Sequence, residues 1–482
     1  MSLLSIAAFP AAAQEKDNTI RYELEAGGMV STGKTLPFWM RTNQYGEVPL
    51  ESGIVSFRGQ LRKDYEKRDG KKNRFSYGYG LRGVANVGRT NELLLPEIYG
   101  KVRFGAFELY GGRRRETMGL ADSTLSSGSY IWSGNALPVP KIQISIPYYT
   151  PILKSGLIAV KGNFAHGWFG SDEFTKSYFL HQKSFYVRLG KPQWHFRLHA
   201  GINHNAQWGG KPAEPYQEKK TGRWVTSYGN NLNAYKHIVL GTPVPPDEDP
   251  DLFGDGSLNE AGNRAGNHLG SADIALEYDA PNINIFLYRQ SIYDDGSLFY
   301  LNNIKDGLNG IAFTRKNAQQ GILKLVVEYL YTANQGGSLG TGSASTVIPQ
   351  LRGKDNYFSN SIYKNGWTYK NSTIGTPFIT PWTHITGMDY EGNKSRLIVN
   401  NRVKAVMIAV QSRAGIFDFT TRLSFSENLG SYNVPFSANQ TSIQQTVSFP
   451  VRSFILQTGL FYDQGELLEK NLGLSLAVKK VF

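Results

Sequence analysis

Arg113, Arg114 and Arg115 stand in a row with Glu116 next. A guanidinium pairs bidentately with carboxylate or phosphate. The run therefore reads either as a clamp for an anionic ligand or as a set of internal salt bridges, and alternation along a strand would aim Arg113 and Arg115 to the same side. Trp39, Trp132, Trp168, Trp208, Trp224, Trp367 and Trp382 form the second group. Indole faces stack on sugar rings. They also sit at headgroup level in membrane proteins. Trp208, Trp224, Trp367 and Trp382 lie in or beside long polar segments, where a glycan contact is the sharper reading. Arg113, Arg114, Arg115, Trp132, Trp208, Arg223, Trp224, Trp367 and Trp382 are accordingly the candidate carbohydrate-binding residues.

Other constellations are weaker. His166, His195, His199 and His204 fall in two neighbouring segments, but His195 and His199 are too far apart along a strand to share a metal, and no third ligand is evident. The acidic stretch Asp247, Glu248, Asp249 and Asp251 offers hard oxygens without the spacing of a calcium loop, because Phe253 and Gly254 interrupt it. No nucleophile–base pair stands out, and no glycine-rich phosphate loop joins a strand to a helix. The expectation is no enzymatic activity, no cofactor and no metal.

The element that must position these groups is clearest at Gln193 to Gly210. Trp194, Phe196, Leu198, Ala200 and Ile202 alternate with His195, Arg197, His199, Gly201 and Asn203. A period of two is a β-strand with one apolar and one polar face. Phe75 to Val87 repeats the pattern over a length unusual for a globular sheet. Read along the chain, the alternation predicts about eighteen strands. Long loops cover 206–267 and 334–394, whereas tight turns sit at Gly105, Gly190 to Pro192, Ala280 to Pro281 and Pro450. The longer connections fall after strands one, five, seven, nine, eleven, thirteen and fifteen and short turns after the even strands, with the charged turn Lys63 to Lys72 as the exception. An even-stranded outer-membrane barrel sorts its loops in this way.

Composition agrees. The 482 residues contain no cysteine and no apolar run long enough for a membrane helix, while aromatics reach 13%. The net charge of +13 favours polyanionic partners. Leu3 to Phe9 is a short apolar core followed by Pro10 and three alanines, so residues 1–13 read as the remnant of a secretory signal and 14–482 as a single barrel domain. Export makes nucleic acid an unexpected partner. Leu472, Leu474 and Leu476 alternate toward a terminal Phe482, which resembles the closing strand that the barrel-assembly machinery reads.

Four passages resemble the Wzi-type capsule-assembly family in the form found in Bacteroidota: Leu36 to Asn43 (LPFWMRTN), Gly111 to Leu120 (GGRRRETMGL), Leu180 to Ser184 (LHQKS) and Gln207 to Gly210 (QWGG). The resemblance implies a barrel of about eighteen strands in the outer membrane of a Gram-negative cell. It also implies a lectin that holds or organises capsular or other acidic surface polysaccharide. Outer-membrane lipid and lipopolysaccharide are the expected surroundings, and a monomer is the expected state. The polar face carrying His195, Arg197, His199 and Asn203 suits a porin or sugar channel equally, and a scaffold subunit of an envelope-assembly complex is a further alternative.

Overall fold

The computed structural model describes residues 20–65, 75–217, 222, 224–242, 265–294, 301–338, 353–390, 392 and 394–482. Its main element is an 18-stranded antiparallel sheet closed on itself. The strands are β1 (Ile20–Ser31), β2 (Ile54–Lys63), β3 (Phe75–Gly88), β4 (Glu92–Phe104), β5 (Phe107–Arg113), β6 (Lys141–Pro151), β7 (Ile158–Gly170), β8 (Tyr178–Leu189) and β9 (Phe196–Trp208). They continue as β10 (Asn267–Asp279), β11 (Ile283–Asp294), β12 (Gly307–Arg315), β13 (Gly321–Tyr331), β14 (Val403–Ala414), β15 (Phe417–Gly430), β16 (Pro435–Val451), β17 (Phe454–Gly465) and β18 (Asn471–Val481). Each strand pairs with the next, and β18 pairs back onto β1 with Glu23 opposite Val481, so no edge is left unpaired.

The expected strand set is present, with shifted boundaries. Strand β6 runs through Pro147 to Pro151, where the prolines suggest a turn; a register shift between Ile146 and Thr150 absorbs them. The turn itself occupies 152–157. Strand β8 starts at Tyr178, six residues before Ser184, where the alternation Ser184 to Leu189 places a strand start in the sequence.

Faces follow the pleat. On β9, Phe196, Leu198, Ala200 and Ile202 are exposed, whereas His199, Asn203, Asn205 and Gln207 are buried. Exposed Leu, Ile, Val, Phe and Tyr recur at alternate positions around the whole wall. Such a band is stable against hydrocarbon and unfavourable against water, so the sheet spans a membrane. No helix among the described residues is long and apolar enough to cross.

Described loops occupy the lumen. Connections 32–53 and 114–140, following β1 and β5, and the described part of the connection after β13, 353–390 with 394–402, fold inward and pack on one another in one apolar cluster with lumen-facing strand residues. Polar lumen side chains hold their backbone. Asp463 accepts from Phe38 N at 2.8 Å, Asp273 from Leu120 N at 2.9 Å, Gln290 from Tyr130 N at 2.8 Å and Glu328 from Ser127 N at 2.6 Å. Between loops, Trp367 Nε1 donates to the Ile131 carbonyl at 2.8 Å and Thr376 N to the Tyr130 carbonyl at 2.9 Å. Irregular backbone is stable at membrane depth only where groups like these satisfy it.

Candidate functional site

The short helix α1 (Phe38–Arg41) starts the site. Pro37 precedes it with φ near −56°, a value suited to a helix start, and Phe38, Trp39 and Met40 anchor it in the interior. Trp39 Nε1 donates to Ser424 Oγ at 3.0 Å, and the Phe38 ring stacks on Phe378 at 5.3 Å. This anchoring pins Arg41, the last helical residue, at the outer end of the plug. Arg41 Nη1 donates to His384 Nδ1 at 3.3 Å. Its Nε is buried and has no acceptor among the described residues. Burial lowers the Arg41 pKa to about 10, with Asp463 opposing, so the guanidinium stays charged at neutral pH. Burial, and then the Arg41 charge, push His384 down to about 3, which keeps its ring neutral and able to accept.

Two cavities flank this corner. One, of about 640 Å³, is lined by Arg41, Leu50, Glu51, Glu92, Arg113 and His384 among others. The other, of about 350 Å³, is lined by Asp172, Glu173, Tyr369, Trp382 and Lys394 among others. Lys370, Asn371 and Thr383 belong to both. Together the cavities form a groove across the end of the barrel that carries the long loops. Arg113 Nη2 donates to Tyr369 OH at 2.9 Å across the junction, and Lys394 Nζ lies 4.9 Å from the Trp382 ring centre. The hydroxyl of Thr383 is a second buried polar group without a partner among the described residues.

Four cations share the groove with four acids. Three of the acids already accept hydrogen bonds: Glu51 from Thr90 Oγ1, Glu92 from Asn86 Nδ2, and Asp172 from Tyr178 OH. What remains is an arrangement of aromatic faces, one incompletely bonded guanidinium and scattered hydroxyl and amide groups. It can hold a hydroxyl-rich chain carrying spaced carboxylates. Evenly mixed charge does not suit a dense polyanion.

The candidates from sequence are distributed unequally. Arg113 and Trp382 line the groove. Arg114 lies between Glu108 and Glu116, at 2.6 Å from each, and Arg115 reaches Glu97 at 3.2 Å and Glu47 at 3.4 Å. Trp132 and Trp367 pack edge-on in the plug with ring centres 6.1 Å apart, and Trp367 is 0% exposed. Trp208 is buried on the outer wall, away from the groove, and Trp224 is exposed on the loop after β9. Arg223, the acidic stretch at 247–255 and the signal residues 1–13 lie outside the described residues. Among those described, no three His, Cys, Asp or Glu are placed to hold a metal. Sequence reasoning passed over Arg41, Tyr369, Lys370, Thr383, His384 and Lys394. Only Arg41 carried a signal, as part of LPFWMRTN.

Residues 36–380 match the family model described as Capsule assembly protein Wzi. No curated protein matches the chain. Among solved structures, Pseudomonas aeruginosa OccK5 (OpdH) is 10% identical with a TM-score of 0.47, over 97% of this chain and 98% of that one. Acinetobacter baumannii OccAB4 is 7% identical with a TM-score of 0.45, over 97% and 99%.

Proposed function

The chain belongs to the Wzi capsule-assembly family, and on that footing we propose that its groove is a lectin site for an acidic surface polysaccharide. A role in capsule assembly at the outer membrane comes with the family. The finer reading concerns how the polymer is held. A uronate or similar carboxylate meets the Arg41 and Arg113 guanidinium groups, sugar rings lie on Trp382 and Tyr369, and Lys370 and Lys394 add long-range attraction. The observation that carries this reading is the charged, incompletely bonded Arg41 guanidinium in the wall of an aromatic-lined groove. A buried polar group without a partner costs free energy that a ligand recovers.

Each contact is modest, and a repeating polymer multiplies them through high effective concentration. The protein acts by binding, with no bond made or broken. The plugged lumen supports a lectin over a diffusion channel.

The test is retention of the producing cell's own capsular polysaccharide on immobilised barrel. Binding should weaken in high salt. Arg41→Gln should weaken it about tenfold, the scale of a hydrogen bond to a charged group, and Trp382→Ala should weaken it further. Equal retention of a neutral glycan, or indifference to both substitutions in a folded barrel, overturns the reading.

A further inference from the structure

The outer wall breaks its own pattern at one place. On β9 the outward series Phe196, Leu198, Ala200, Ile202 continues as His204, Ala206 and Trp208, yet these last three are buried. The register sets Ala206 opposite His181 on β8 and opposite His268 on β10, and His181 opposite His166 on β7. Four histidines thus share the lipid-facing side at the loop end of four adjacent strands. Bare, they would be costly in hydrocarbon.

The helix α2 (Leu232–Leu240) covers them. Asn231 caps its start by accepting from Ala234 N, and Gly241, with φ of 64°, ends it. Ala234 and Ile238 pack with Ala206 and Trp208, and the Tyr235 ring lies 4.9 Å from Trp208 and 5.8 Å from His181. Lys183 Nζ donates to the Val239 carbonyl, tying the C-terminal turn to β8. The helix therefore lies outside the barrel, against the wall.

Its other face reads Leu232, Lys236, Leu240, with Leu232 85% and Leu240 61% exposed. Apolar residues flanking a lysine mark a helix lying at a membrane interface, the ammonium reaching toward water. Between the start of α2 and the wall is a crevice of about 710 Å³ lined by His166, Trp208, Leu232 and Tyr235 together with Asn230, Asn231 and Asn233. Trp208 is 5% exposed, and its indole N–H has no acceptor among the described residues. On the same outer face lie the exposed Phe164, Phe185 and Ile202, so the crevice is continuous with the lipid-facing band.

We propose that this crevice binds one acyl chain of a membrane lipid, the chain lying against Leu232 and Tyr235 and its ester carbonyl accepting from Trp208 Nε1. The occupant is a lipid because the crevice adjoins the exposed apolar band of β7 to β9, and because the unpartnered Trp208 indole N–H matches an ester oxygen. The site is separate from the polysaccharide groove and does not depend on it.

The experiment reconstitutes the full chain in phosphatidylethanolamine vesicles carrying a trace of a diazirine-acyl analogue, and maps photolabel by peptide. Residues 230–242 and Trp208 should label above the rest of the wall. Trp208→Phe should lower that labelling about fivefold and leave the segments around Phe164 and Ile202 unchanged. Leu232→Asp, a change at an exposed position, should do the same without disturbing the barrel wall. Uniform labelling around the barrel, or absence of label at α2 because chain or partner protein fills the crevice, overturns the proposal.

Discussion

Arg114 shows how a conspicuous residue can be consumed internally. It joins Glu108 and Glu116, while Lys141 Nζ reaches Glu116 at 2.7 Å. Burial pushes the Glu116 carboxyl upward, but the Lys141 and Arg114 charges outweigh it and hold the pKa near 2, against an ordinary 4.5. A carboxyl with a depressed native pKa stabilises the fold above its ordinary pKa, and the contribution is lost as pH falls through the native value. Anchoring of loop 114–140 should therefore weaken between about pH 4.5 and 2. Protease sensitivity of that loop in intact barrels measures this. Glu116→Gln should raise sensitivity at neutral pH and flatten its pH dependence; an unchanged profile counts against the assignment.

At the scale of the strand, one-residue differences decide everything, because neighbouring side chains leave opposite faces. Ile202 is the central residue of β9 and faces outward, 54% exposed, while Asn203 is fully buried in the lumen and donates to Tyr186 OH at 3.0 Å. Ile202→Arg should cost about 2–4 kcal/mol of barrel stability in lipid. Asn203→Ala acts differently, leaving the band intact and loosening interior hydrogen bonds. Folding titrations in vesicles distinguish the two. Equal behaviour would mean that β9 does not face hydrocarbon. Glycine matters at one close approach in the plug: Gly366 has φ of 69°, and a Cβ there would meet the Phe358 carbonyl oxygen at 1.9 Å.

For the whole molecule, closure of β18 on β1 and inward folding of three loops are separate achievements. Closure removes the edges; the plug fills what closure encloses. The intact barrel should be silent in planar bilayers. Replacing 118–138 by a short Gly-Ser link removes the loop that contacts Asp273, Gln290 and Glu328, and should turn silence into steady conductance without unfolding the wall. Conductance of the unmodified protein at a porin's level would return the channel reading to first place.

The sequence by itself determined the strand number, the two faces of each strand and the family. These are local or periodic properties: a period of two repeats along each strand, and parity follows from counting. Only the tertiary structure decided where the long loops go. Nothing periodic relates Trp367 to Ile131, or Asn135 to Thr373, so their contacts inside the barrel leave no mark on the chain. The same holds for the groove, where α1, the end of β5 and residues 369–384 bring Arg41, Arg113, Lys370 and Trp382 together from distant positions. Trp208 obeys the outward parity of its strand and is nevertheless buried, because a helix from the next loop lies over it. Pattern assigns a side chain to a face; what covers that face is settled by chain arriving from elsewhere.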